Sequence, residues 1–145
     1  MTKKIYLAGA IRNADDNGVG WRERLKSKYP QYEYLDPLDK INVTPDEVQV
    51  VDGWSDLRKE DTIGTDEIIL SDLSMIQRSG VVLVRYVDGV EHFGTPMEMV
   101  YATERYNKTI VTWFVGAPID SASPWLKYHS DEMVTNLDGA IQVID

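Results

Sequence analysis

Two carboxylates stand in settings that suit chemistry. Glu98 closes the string Gly94-Thr95-Pro96-Met97-Glu98. Thr95 has the form of a helix N-cap, Pro96 suits the first helical position, and Glu98 falls three residues after the cap. In a capping box Glu98 would bond back to the backbone of Thr95. In the alternative it faces a ligand from the first helical turn and acts as a nucleophile. Asp72 lies four residues after Ile68 and four before Ile76, which puts it on the apolar stripe of a helix. An acid on that stripe needs a partner or a cleft. Burial favours the neutral carboxyl form, the form a general acid uses. The alternative for Asp72 is a solvated place at the stripe's edge, beside Ser71 and Ser74. Two carboxylates in unlike environments are what glycosidic chemistry requires. One attacks the anomeric carbon and the other protonates the leaving group.

The elements that must position them alternate along the chain. Residues 4–8 form a short β-rich run ending at Gly9, and residues 17–29 have helical spacing through Trp21 and Leu25, stopped by Pro30. Residues 32–35 are a second strand. Residues 38–61 are polar, carry Pro45 and Gly53, and read as a long loop of the kind that serves as a lid or subunit contact. Thr65 or Asp66 caps a helix whose apolar residues are Ile68, Ile69, Leu73 and Ile76. Val81-Val82-Leu83-Val84 is a continuous apolar run, as in a strand buried on both faces. A helix over 95–106, a strand over 109–115, a turn-rich loop over 116–124, a strand-like piece near Tyr128 and a helix over 137–144 complete the series. This alternation predicts one α/β domain over residues 1–145, with a parallel five-stranded sheet and helices on both faces. Ligands of such sheets sit beyond the carboxyl ends of the strands. Two loops fall there: Gly9-Ala10-Ile11-Arg12-Asn13 and the stretch from Asp88 through His92 to Gly94.

Composition narrows the classes. The chain has 145 residues, 24 acids against 15 Lys and Arg, a net charge of −9 and no cysteine. The acidic balance argues against a protein that coats phosphate backbones, because that affinity comes from Lys and Arg. The absence of cysteine excludes disulfides, thiolate-bound zinc and a thiol nucleophile. The apolar run after Lys3 and Lys4 is shorter than the roughly 7–15 residues of a signal-peptide core. No window reaches the roughly 18 apolar residues of a membrane span. A cytoplasmic location is the expectation. His92 and His129 are the only histidines and have no ligand-spaced acid cluster, so no metal is expected. Gly18-Val19-Gly20 lacks the third glycine and the preceding strand of a dinucleotide fingerprint, so no nicotinamide or ATP cofactor is implied. The segment 128–131 reads as a strand end with structural hydrogen bonds. Trp113 reads as core, and Trp54 as a loop anchor or a stacking surface for a base.

The chain resembles the nucleoside 2-deoxyribosyltransferase family, which is related to the nucleoside 5′-monophosphate N-glycosidases. The resemblance rests on Ile5-Tyr6-Leu7-Ala8-Gly9, Ser71-Asp72-Leu73, Gly94-Thr95-Pro96-Met97-Glu98 and Ser123-Pro124-Trp125-Leu126, taken in order and spacing. It implies a flavodoxin-like, Rossmann-like fold. It implies that Glu98 is the nucleophile that forms a covalent glycosyl-enzyme and that Asp72 helps protonate the departing base. It further implies that the Tyr6 hydroxyl holds the Glu98 carboxylate, and that Gly9 lets the backbone approach the substrate. Another base resolves the intermediate in the transferases, and water does so in the hydrolases.

The chain departs from the family pattern at three places. Six residues before Glu98, where the transferases carry Asp and the hydrolases tend to carry Ser, stands His92, with Asp88 and Glu91 close by. Ser123 stands where the transferases carry an Asn that contacts the sugar's 5′-hydroxyl, and Ser is what the hydrolases use toward phosphate. No counterpart of a C-terminal aromatic is present, since the sequence ends Val143-Ile144-Asp145. His92 and Ser123 can donate hydrogen bonds to a 5′-phosphate, with charge from Arg12, while mid-helix Arg22 is expected on the solvated surface. The Glu98 string and the Trp125 region favour the transferase, with the monophosphate hydrolase as alternative and a non-catalytic nucleotide-binding module as a third. The expected partners are a nucleoside or nucleoside monophosphate, a free base, and further copies of the chain that complete the site. No nucleic-acid polymer or membrane is expected.

Overall fold

The computed structural model describes residues 2–11, 14–39 and 65–145. Arg12, Trp54 and residues 40–61 of the expected loop lie outside the described residues. Five strands, β1 (Lys4–Gly9), β2 (Glu33–Leu35), β3 (Val81–Val87), β4 (Thr109–Val115) and β5 (Glu132–Val134), form one sheet. All are parallel, in the order β2-β1-β3-β4-β5. This is the flavodoxin-like order, whose topological switch point lies between β1 and β3. The helices are α1 (Val19–Lys28), α2 (Thr65–Arg78), α3 (Gly94–Val100), α4 (Pro124–Tyr128) and α5 (Leu137–Ile144).

The side-chain alternation of β1 divides the core in two. Tyr6 and Ala8 point to one face and pack with Ile76 of α2, Met99 of α3 and Leu126 of α4. Ile5 and Leu7 point to the other and pack with Trp21 and Leu25 of α1 and Ala140, Ile141 and Ile144 of α5. Val81 to Val84 are buried throughout, as expected for a strand covered on both sides. No helix among the described residues is long and apolar enough to cross a membrane.

Several elements differ from the sequence expectation. The first helix begins at Val19 because Asn17 and Gly18 hold φ of 59° and 76°. The Asp16 carboxylate caps it, accepting the Gly18 and Gly20 N–H groups at 3.0 and 2.9 Å. Ile69 of α2 is 52% exposed and lies off the buried stripe. The expected helix over 95–106 is α3 followed by a π-helical turn, Tyr101–Arg105. The strand-like piece near Tyr128 is instead the end of α4, because Pro124 at the first helical position and Ser123 as cap start a helix. The strand follows later, at Glu132. Structural hydrogen bonds do fill 128–131: His129 Nδ1 meets the Trp125 carbonyl at 2.7 Å, and Asp131 accepts the Ile110 N–H at 2.7 Å.

Candidate active site

The sheet brings together residues far apart in sequence. Tyr6, fully buried on β1, sends its hydroxyl toward the α2/α3 face and donates a hydrogen bond to Glu98 Oε2. Glu98 is half-buried in α3, which starts just beyond the carboxyl end of β3. The capping box is not formed. Phe93 holds the N-cap position without a side-chain bond, and Thr95 is buried inside the helix. Two positions earlier than the local pattern suggests, the helix begins at Gly94, and Glu98 is directed to Tyr6. Asp72 is half-buried on α2 between buried Ile68 and Ile76, so its stripe does face the sheet.

Electrostatics tie the three groups into one site. Burial pushes the Tyr6 hydroxyl well above its ordinary value. The negative charges of Glu98 and then Asp72 push in the same direction, as does the bond to Glu98, while Arg22 opposes them. Tyr6 is therefore a permanent donor at neutral pH. A carboxylate held by a buried phenol, with a second acid within electrostatic reach, can present one oxygen to an electrophilic carbon.

The expected ligand contacts are distributed around this centre. Gly9 ends β1, and its requirement for glycine is a packing one: a Cβ there would lie 3.1 Å from the Arg85 carbonyl and 3.2 Å from the Trp21 ring. Ile11 is half-buried in the bend that follows. Asp88 is exposed, and its N–H donates to the Val115 carbonyl at 2.8 Å, tying the loop after β3 to the end of β4. Gly94 opens α3 with nothing within 4 Å of where a Cβ would stand. Ser123 is exposed and caps α4 by accepting the Trp125 N–H at 3.2 Å, which leaves its own proton to donate.

His92 is half-buried and stacked on Tyr86 at 4.0 Å between ring centres. Its Nε2 lies 3.2 Å from Val87 N and 3.1 Å from Val87 O, so the end of β3 occupies that nitrogen. Nδ1 is buried without a hydrogen-bond partner. Burial lowers the His92 pKa below its ordinary value, against the Val87 bond and together with the charge of Arg85. The end of β3 thus engages one ring nitrogen, and the other, Nδ1, is buried.

Arg22 overturns the surface expectation. It is fully buried. Its Nη1 donates to Gly18 O at 2.9 Å, and its Nη2 to Leu7 O and Gly9 O at 3.2 and 3.3 Å. Its Nε lies 3.5 Å from Asp36 Oδ1. Asp36 is itself buried and is held also by Lys26 Nζ at 2.7 Å. Sequence reasoning missed this cluster because an arginine in mid-helix reads as solvated. The available signal was Asp36 between Leu35 and Pro37, an acid at a strand end with no turn glycine.

The same architecture occurs in solved structures. The 2-deoxyribosyltransferase from Leishmania mexicana superposes with a TM-score of 0.51 at 19% identity, over 89% of this chain and 73% of that one. A conserved protein from Enterococcus faecalis V583 superposes with a TM-score of 0.51 at 14% identity, over 99% of this chain and 88% of that one. At these identities the likeness is one of fold, and the fold is that of the deoxyribosyltransferase. No family model and no curated protein sequence matches the chain.

Proposed function

We propose that the chain is a nucleoside 2-deoxyribosyltransferase. A Glu98 oxygen attacks the anomeric carbon of a 2′-deoxynucleoside, the C1′–N bond breaks, and its electron pair leaves with the base. Asp72 supplies the proton that the departing base takes up. A nitrogen of a second base then attacks the same carbon, the ester bond to Glu98 breaks, and the incoming base returns its proton to Asp72. The observation that carries the proposal is the hydrogen bond from Tyr6 to Glu98. It joins groups 92 positions apart and holds Glu98 Oε2 in a fixed direction, as a nucleophilic carboxylate requires. The fold shared with a deoxyribosyltransferase supports the same reading.

The nucleoside 5′-monophosphate N-glycosidase is the second reading. It is favoured by Ser123, whose hydroxyl is exposed and has a proton to give to a phosphate oxygen. With either enzyme goes assembly into homo-oligomers. Phe93, Met97, Val100 and Tyr101, all exposed, recur at helical spacing beside Glu98 and would offer the apolar face to a second copy.

Purified protein incubated with deoxynucleosides and deoxynucleotides, with and without a second base, tests these readings. Exchange that needs the second base supports the transferase. Release in water from the 5′-phosphate alone selects the hydrolase. No release or exchange from any member sinks both and leaves a binding module. Glu98→Ala should lose about four orders of magnitude or more in rate, as removal of a nucleophile does. An unchanged rate in a folded variant would refute the nucleophile assignment.

A further inference from the structure

Among the described residues, the carboxyl end of β1 has no strand on one side. β2 pairs with Lys4, Ile5 and Tyr6 and stops there, whereas β3 accompanies β1 to Gly9. Glu33 N–H bonds to Lys3 O, so the odd-numbered carbonyls of β1 face β2. Gly80 N–H bonds to Lys4 O, so the even-numbered ones face β3. The carbonyls of Leu7 and Gly9 therefore project past the end of β2, into a buried region where no described strand meets them. Arg22 Nη2 occupies that place and accepts the role of both missing donors. The same guanidinium reaches the Gly18 carbonyl before α1 and lies against Asp36, the residue after β2. It also lies 4.7 Å from the Trp21 ring, which a Cβ on Gly9 would meet at 3.2 Å.

We infer that Arg22 is a positioning residue for the candidate site: its side chain replaces the missing length of β2 and fixes the end of β1, with the turn at residues 9–11, for the sugar. The inference rests on the transferase or hydrolase reading above. The task suits arginine alone, since a planar fork with five donors can meet three carbonyls and a carboxylate together. A lysine keeps the charge but offers one point of attachment. Tyr6, Asp72 and Glu98 lie on the opposite face, and a lysine at position 22 keeps the positive charge that acts on Tyr6. The loss should therefore fall on substrate binding rather than on the bond-breaking step.

Arg22→Lys tests this. With the fold intact by circular dichroism, KM for the nucleoside should rise about tenfold or more, as expected of a misplaced binding element, while kcat changes less than about threefold. Amide hydrogen exchange should quicken at Ala10 and Ile11 and stay as in the wild type along β3. A variant with wild-type KM and wild-type exchange at Ala10 and Ile11, whatever its melting temperature, would overturn the inference. If Arg22→Lys does not fold, Arg22→Met with Asp36→Asn removes the buried charge from both partners and carries the same measurements. If the wild type proves inactive, the reading of the reaction fails, while the exchange at Ala10 and Ile11 still decides whether Arg22 holds the turn.

Discussion

Tyr6→Phe removes one oxygen and leaves the ring. The ring packs in the layer of Ala8, Leu35, Ile76, Val82 and Met99, so the core loses no volume and the fold should survive. What disappears is the donor to Glu98. A hydrogen bond to a charged group contributes about 1.5–3 kcal/mol. At about 1.4 kcal/mol per tenfold, the glycosyl-enzyme should form roughly 10- to 150-fold more slowly. Single-turnover release of base, followed by rapid quench, reads that step directly. A melting curve on the same samples separates it from unfolding. The alkaline side gives a second readout. Burial first, then the charges of Glu98 and Asp72, raises the Tyr6 pKa in the folded state above its ordinary value of about 10. Its stabilising contribution is thus complete below about pH 10 and is lost as pH climbs toward the folded value. Tyr6→Phe should lack that alkaline loss. A variant with wild-type single-turnover rate and wild-type alkaline melting would show that Tyr6 is an ordinary core tyrosine.

Three other changes probe neighbouring parts. Asp72→Asn should slow base release by about 10²- to 10⁴-fold, and far less with a leaving group that needs no proton; equal losses with both would refute the proton-donor role. Burial lowers the His92 pKa, so its contribution to stability is full above about pH 6.5 and falls as pH drops below that value. His92→Phe keeps a ring over Tyr86, and its melting temperature should change less than the wild type's between pH 7 and pH 5, both values being about the range where histidine titrates. Parallel melting profiles would refute this. Asp36→Ala leaves the buried Arg22 charge uncompensated and should cost about 3–5 kcal/mol in urea unfolding. A cost below about 1 kcal/mol, the range of exposed pairs, would mean that the pair is solvated.

The parts of the fold legible in the sequence are those whose signal is local and redundant. The run Val81 to Val84 had to be a central strand, and the regular alternation of strands and helices required a parallel sheet. Leu137–Ile144 carries its own cap, the Asn136 side chain accepting the Gly139 N–H at 2.7 Å. Where two local signals competed, tertiary contacts decided. Thr95, Pro96 and Glu98 form a sound capping pattern, yet Tyr6 on another element engages the glutamate and the helix starts earlier. The segment near Tyr128 reads as strand-like, but Pro124 at the first helical position and the Ser123 cap begin a helix there. Asp72 was legible because its spacing to Ile68 and Ile76 fixes its face whatever lies opposite. Arg22 was not, since its burial depends on where β2 stops, and a three-residue strand leaves little pattern from which to read its end.

The short β2 links the two faces of the site. Had it run as far as β3 does, the Leu7 and Gly9 carbonyls would have strand partners, and a buried arginine would have no acceptors there. Instead β1 runs on past the end of β2, on the side away from β3. Past that end no described strand supplies the ladder that would keep β1 in place. One side-chain fork on α1 restores the hydrogen bonds. Across the sheet, Tyr6 does the corresponding work for Glu98. A single strand thus carries a phenol to Glu98 on one face and, within three residues, a backbone edge held from the other. The spacing between Tyr6 and Gly9 therefore has to be conserved for both jobs. Inserting a residue between Leu7 and Ala8 would turn the Gly9 carbonyl toward the wrong neighbour while leaving the bond from Tyr6 to Glu98 in place.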